Sequence, residues 1–377
     1  MKIETFELER FQSLWENRVR FNLTESGVHP YTIKELLNEN EIKDILNKRI
    51  GYGQTNGSIP LRDTISKLYS GTQADNILVT NGSAESNFIA MWSLLEPEDE
   101  ILFMIPNYMQ MWGIIRSLGA AIKSFHLKEE LNWKPDFNEI QSLITAQTKM
   151  IIICNPNNPT GGVLSHKEMD QIVAVAEAND IWIYADEVYR GAELDGNECA
   201  SFLNLENSYN KVIVTGGLSK AYALPGLRIG WLAGPADFIE KAWSHHDYTT
   251  IAPGILSDFI ATVVLQPKIR RKILKRSRTL INNNLKILKE WIDRHPGLFF
   301  LVPPKAGAMA FIRYNLDINS TQLAEKLRED KNVLIIPGDF FGMDGYIRLG
   351  IGSEKEYFLR GLALIEDELN LIRKTGS

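Results

Sequence analysis

The sequence predicts an α/β fold: a mostly parallel sheet covered by helices, followed by a smaller α+β domain. Three observations carry this. Short runs rich in Ile and Val, apolar on both faces, recur at 76–80 (NILVT), 101–106 (ILFMIP), 149–154 (KMIIIC), 181–186 (IWIYAD), 211–215 (KVIVT) and 229–234 (IGWLAG). Runs of this kind read as strands buried on both sides, as parallel sheets require. Helix-like stretches separate most of them, for example HKEMDQIVAVAEAND at 166–180. After about residue 255 the texture changes. A long basic amphipathic helix, PKIRRKILKRSRTLINNNLKILKEWIDR, leads into strand-like runs at 307–314, 332–338 and 346–351. The expected organisation is an N-terminal segment, 1–45, packing with the small domain, a large domain over 46–265, and a small C-terminal domain over 266–377.

Composition narrows the function. Of 377 residues 44% are hydrophobic, enough for a large core, and the formal net charge is −6. A mildly acidic chain does not bind phosphate backbones through bulk charge, so nucleic acid is not an expected partner. The basic cluster KIRRKILKR reads as a solvated helix face. Cys154 and Cys199 are the two cysteines. They make neither a disulfide framework nor a metal-ligand spacing, and no metal is expected. The opening MKIETFELERFQSLWENRVRF has no apolar leader region, and no run reaches membrane-spanning length. A soluble cytoplasmic protein, with no membrane partner, is the expectation.

In parallel α/β sheets ligands sit beyond the carboxyl ends of the strands. After NILVT comes NGSAES, a small-residue turn feeding a helix, able to cradle phosphate or simply to cap the helix at Ser83. There is neither a Walker lysine nor a GxGxxG. After ILFMIP come Asn107 and Tyr108, whose ring can lie against a planar ligand or pack internally. After KMIIIC comes NPNNPTG (155–161), a rigid polar loop. After IWIYA comes DEVYR (186–190), whose acid is costly at a buried strand end unless it meets a cation or donor. KVIVT runs into GGLSK and delivers Lys220, with Arg228 eight residues on. One cleft thus gathers a phosphate cradle, an aromatic face, an amide, a carboxylate and a lysine, the parts that pyridoxal phosphate needs.

In motif order, YGQTNGSIPLR, NGSAES, PNY, NPNNPTG, DEVYR, SKAYALPGLRIG and YIRLGIGS, the chain resembles the class I/II aminotransferase family, the aspartate aminotransferase-like fold-type I enzymes. The resemblance covers nearly the whole chain. It implies a seven-stranded-type sheet in the large domain and pyridoxal 5′-phosphate as cofactor, held as a Schiff base by Lys220. It implies that Asp186 pairs with the pyridine nitrogen, and that Tyr189 and Asn158 bond the phenolic oxygen. Tyr108 is implied to stack on the ring, and Gly82, Ser83, Ala84, Ser219 and Arg228 to bind the phosphate. Arg348 is implied to clamp the substrate α-carboxylate. Tyr52 matches a tyrosine that reaches across a homodimer to the phosphate, implying shared active sites.

The chain departs from the family pattern at Gly217, where many relatives carry a serine or threonine, and in NLTESGVHP (22–30), which replaces a glycine-rich opening. There Ser26 and Gly27 offer donors to the substrate carboxylate. Glu25, with Glu16, favours a cationic side chain. His29 is either a loop residue before Pro30 or a proton-transfer group over the cofactor. This segment also resembles the pyridoxal phosphate- and oxygen-dependent arginine oxidases and capreomycidine synthase-like enzymes. Three readings follow: transamination of an amino acid with a keto-acid acceptor, oxygen-dependent oxidation or desaturation of arginine or a similar cationic amino acid, and a non-catalytic cofactor-binding regulator.

Overall fold

The computed structural model describes residues 2–205 and 209–375. A short strand β1 (Phe21–Asn22) precedes the main sheet. That sheet comprises β2 (Ile77–Thr80), β3 (Glu100–Ile105), β4 (Ala121–Lys128), β5 (Lys134–Pro135), β6 (Thr148–Cys154), β7 (Trp182–Asp186), β8 (Val212–Gly217) and β9 (Gly230–Ala233). Its spatial order is β2-β9-β8-β7-β6-β3-β4-β5. β9 runs against both its neighbours and β5 against β4, while the rest run together. The sheet has eight strands because the two-residue β5 is added at the edge of the seven expected.

All six apolar runs form strands, each within two residues of its expected ends. Alternate residues feed opposite faces, as the two-residue period of a strand dictates. Leu102, Met104, Ile151 and Ile153 enter one core, whereas Ile101, Phe103, Met150 and Ile152 enter the other. β4 lacks such a run. It lies near the sheet edge and carries exposed His126 between buried Phe125 and Leu127, so only one face is apolar. The helix His166–Ala178 opens with a capping box in which Ser165 and Glu168 each bond the other's backbone N–H.

The smaller sheet orders β10 (Phe299–Leu301), β11 (Met309–Tyr314), β14 (Tyr346–Gly350) and β13 (Ile336–Pro337), all antiparallel. The run NVLIIPG splits: β12 (Val333–Leu334) pairs instead with β1. The helix Pro267–Asp293 buries Ile273, Leu274, Ile281, Leu285, Leu288 and Trp291 at helical spacing. Among the described residues no helix is long and apolar enough to cross a membrane.

Residues 21–29 run beside the smaller sheet and form one wall of the site. The Leu23 N–H donates to Leu334 O at 2.8 Å, the Gly350 N–H to Leu23 O at 2.7 Å, and the His29 N–H to Gly352 O at 2.7 Å. Gly350 is required here, because a Cβ on it would strike the carbonyl of Glu25. Gly350→Ala is therefore expected to push residues 23–25 off β14 and to cost about 1–3 kcal/mol, as overpacking does. Thermal melting against the wild type checks this.

Candidate active site

A cavity of about 320 Å³ opens at the carboxyl ends of β6 and β7. Its floor is Asp186, the last residue of β7, whose carboxylate is 3% exposed. Oδ1 accepts the Val188 N–H at 3.1 Å, and Asn87 lines the same cavity. Among the described residues no cation lies within ion-pair distance of it. Burial pushes the Asp186 carboxyl up to about 6, although the Val188 and Asn87 donors oppose this.

Lys220 follows β8 and meets Glu25, Nζ donating to Oε1 at 3.0 Å. The Gly27 N–H donates to the same oxygen at 2.7 Å. The Lys220 charge, with the Gly27 N–H, holds the half-exposed Glu25 carboxyl down at about 2. Burial alone would lower the Lys220 ammonium, but Glu25 and Tyr189 carry it above its ordinary value. In the chain by itself this amine is a charged, paired ammonium. Tyr189 also lines the cavity and donates to Ser26 Oγ at 2.9 Å.

Arg348, in the middle of β14, is 1% exposed. Nη1 donates to Asn158 Oδ1 at 2.9 Å and Nη2 to Thr24 O at 2.7 Å. Its buried Nε has no partner. Burial lowers its guanidinium below the ordinary value. A buried, planar, cationic fork beside a cavity suits a carboxylate.

At the other end the helix Ser83–Leu94 starts on Gly82, whose φ of 82° lies in the region that favours glycine. A Cβ on Gly82 would strike the Arg228 guanidinium, and one on Gly230 would strike the Ser83 amide. The two glycines let β9, Arg228 and the helix start stack closely. First-turn amides of a helix have no intrahelical acceptor, so Ser83 and Ala84 offer free donors beside Arg228. Arg228 Nη1 reaches Ser219 Oγ at 3.5 Å. A Cβ at Gly217 would make only ordinary contacts, the Ser83 side chain among them at 3.7 Å, so a serine would fit there.

The roof comes from the helix Glu7–Trp15, which sequence periodicity did not place. Leu8, Glu9 and Gln12 from that helix, with Glu16 just beyond it, face the cavity. Their spacing of three and four residues is the signal that was present. The Tyr108 hydroxyl donates to Glu9 Oε1 at 2.8 Å, and the Phe6 ring meets the Tyr108 ring edge-on at 5.0 Å. Burial, then the Glu25 and Glu9 charges, raises the Glu16 carboxyl above its ordinary value. Asn87 was also missed, though it lies four residues after Ser83 on the same helix face.

The structure thus brings Lys220, Asp186, Tyr189, Asn158 and Tyr108 into one cavity, together with Ser83, Ala84, Ser219, Arg228, Arg348 and Glu25. Gly82 and Gly27 back it from outside. His29 is not among its lining residues. Its Nε2 faces Glu354 at 3.6 Å, because the hydrogen bond to Gly352 turns the chain outward. Of the two readings given for His29, its position outside this cavity agrees with that of a loop residue before Pro30. Tyr52 is 89% exposed, away from the cavity of its own chain.

The buried carboxylate has a consequence for stability. Its folded value, about 6, lies above the ~3.9 of an unfolded aspartate. The stability it lends is therefore complete below ~3.9 and is lost as pH rises through about 6. In protein prepared without cofactor, Asp186→Asn is expected to raise stability by about 2–3 kcal/mol at pH 8 and to change little at pH 4. Denaturant titration at both pH values measures the difference.

The aminotransferase class I and II family profile matches residues 22–362. Capreomycidine synthase of Streptomyces vinaceus is 26% identical over 364 residues, covering 93% of this chain and 90% of that protein. Aspartate aminotransferase of Thermotoga maritima is 26% identical over 359 residues, covering 93% and 91%. A crystal structure of a pyridoxal phosphate-dependent aminotransferase from Streptococcus suis superposes with a TM-score of 0.92 at 32% identity, covering 99% of both chains. With the fold-type I architecture and this match over most of its length, the chain belongs to the class I and II aminotransferases, transferase enzymes whose cofactor is pyridoxal 5′-phosphate.

Proposed function

We propose that the enzyme removes the α-amino group of an amino acid, passes it to a keto acid, and prefers a donor with a cationic side chain. The convergence of Lys220, Asp186 and Arg348 on one cavity carries this reading. The donor set fits the cofactor: a buried carboxylate without a cation, a reachable amine, and a helix start paired with an arginine. Asp186 would hold the ring nitrogen, Tyr189 and Asn158 the phenolic oxygen, and Tyr108 the ring face. Ser83, Ala84, Ser219 and Arg228 would hold the phosphate, with Gly82 allowing their close approach. Pyridoxal phosphate supplies, when bound, an aldehyde that condenses with amines and a ring that draws electrons from the donor Cα.

The chain's own residues do the rest. Arg348 orients the donor by its α-carboxylate, with Asn158 and Thr24 fixing the guanidinium plane, and Ser26 and Gly27 adjoin that position. Lys220 Nζ, in its uncharged form, would take the proton lost from Cα, and Glu25, 3.0 Å away, would stabilise the resulting ammonium. The helix Glu7–Trp15 covers the site against water. Glu9 and Glu16 face the cavity with no lysine or arginine within ion-pair distance among the described residues, which favours a positive donor side chain. Tyr52, with exposed Leu46 and Ile50 nearby in sequence, is assigned to a two-fold interface where it completes the partner's phosphate site.

An amino-acid panel with and without 2-oxoglutarate or pyruvate, run in an oxygen electrode, tests the reaction. Acceptor-dependent turnover without oxygen uptake is expected, and Lys220→Ala should abolish it. Oxygen uptake that needs no acceptor would replace transamination with oxidation. Bound cofactor with no amino acid processed would make the chain a regulator. Glu16→Gln should raise KM about tenfold for arginine or lysine and leave neutral donors unchanged, since a charge-assisted bond is worth about 1.5–3 kcal/mol. Equal preference for aspartate would refute the cationic donor.

A further inference from the structure

The helix over the cavity carries one polar side chain that the proposed reaction has not used, Gln12. It is 8% exposed and, like Glu9 and Glu16, lines the cavity. Which end of its amide meets the cavity is decided by a short hydrogen-bond chain that begins at a backbone N–H. The Thr24 N–H can only donate, and Asn22 Oδ1 accepts it at 2.9 Å. The same oxygen stands 2.6 Å from Thr24 Oγ1, so the hydroxyl must point its single proton there. Thr24 Oγ1 is left as an acceptor, and Gln12 Nε2 donates to it at 2.8 Å. Turning the Gln12 amide over would set two acceptors against each other at that distance. Thr24 is held from its other side as well, where its carbonyl accepts from Arg348 Nη2 at 2.7 Å. Gln12 Oε1 is thereby turned away from Thr24, with no protein partner among the described residues. It is not sealed in the interior either, so the cavity is the open space it meets.

We infer that Gln12 is a specificity-determining residue whose amide oxygen accepts an N–H from the end of the donor side chain. The inference rests on the proposed function and deepens it: Glu16 answers to charge, Gln12 to an N–H. The two stand four residues apart, one above the other on the same helix face. Glu9, the third acceptor of this face, already takes the Tyr108 hydroxyl at 2.8 Å. An amide that cannot turn over rejects a side chain ending in a carboxylate, because two acceptors would meet without a proton between them. A hydrocarbon side chain would cover Oε1 and leave it unbonded, which is also unfavourable. The class selected is a side chain that ends in N–H groups: guanidino, ureido, carboxamide or ammonium.

The test titrates holoenzyme with arginine, citrulline and norleucine in the absence of a keto acid. Affinity is read from the visible absorbance of bound pyridoxal phosphate and, independently, from the shift in melting temperature. All three ligands carry the same α-carboxylate, but only the first is charged at its end and only the first two end in N–H groups. Gln12→Leu should weaken arginine and citrulline about tenfold relative to norleucine. Thr24→Val removes the hydroxyl that holds Nε2, lets the amide turn over, and should lower the same two ratios about threefold. Melting of each variant verifies folding, and if Gln12→Leu does not fold, Thr24→Val decides alone. Ratios that stay at the wild-type value in folded variants would overturn the inference. So would equal weakening of all three ligands, since Gln12 would then act only through Thr24 and Arg348. Wild-type enzyme that binds citrulline as well as arginine, with the Gln12 effect retained, would refute the cationic donor and leave Gln12 standing. Were no amino acid to change the absorbance, the proposed function would fall, and this inference with it.

Discussion

The site is organised around one costly act, the burial of the Asp186 carboxylate at the end of a strand that is apolar on both faces. β7 sits between β6 and β8 in the middle of the sheet, so its last side chain emerges under protein rather than under solvent. Burying a carboxylate there is unfavourable unless donors or a cation meet it. The chain supplies the Val188 N–H, and no cation within ion-pair distance among the described residues. The folded chain therefore carries an unmet demand for positive charge at this one point. Under the proposed pairing the cofactor's ring nitrogen would relieve that demand, coupling binding and stability through a single side chain.

At the other end of the cavity the chain meets the opposite demand by close packing. Gly82 and Gly230 lack the Cβ atoms that would hold Arg228 and the helix start apart. The result is a guanidinium beside free first-turn amides, a surface suited to a phosphate. The floor wants a cation and this end wants an anion. The two lie on the same sheet, whose register fixes their separation.

These parts were legible in the sequence because they follow apolar runs. Where a buried strand ends is fixed by hydrophobicity, so the residues just beyond it could be named from composition alone: Asp186, Asn158, Tyr108, Ser83 and Lys220. Arg348 needed the family resemblance, since nothing local separates an arginine in a buried strand from an ordinary one. What stayed hidden depends on contacts distant in sequence. The helix Glu7–Trp15 covers the cavity because Tyr108, about a hundred positions away, bonds Glu9, and because Phe11 packs at 5.5 Å on Phe340. His29 stayed open between two readings because a loop's direction is set by its partner, here the carbonyl of Gly352, which the loop's own residues do not reveal. β4 was passed over because a strand with one wet face has no continuous apolar run.

Glu25 joins the two halves. Its backbone is gripped by β14, where Gly350 leaves room for its carbonyl, and its side chain is held by the Gly27 N–H. The carboxylate is therefore fixed from behind, and Lys220 comes to it rather than the reverse. When that amine engages another partner, Glu25 remains a rigid anion, less than one turn of chain from the carbonyl of Thr24 that holds Arg348. Arg348 on β14 and Glu25 next to Thr24 thus place opposite charges on one wall of the cavity. The segment NLTESGVHP, which departs most from the family pattern, supplies both the Thr24 carbonyl that accepts from Arg348 and the carboxylate that meets Lys220. Glu9 and Glu16, on a separate helix, are left to meet whatever the side chain brings.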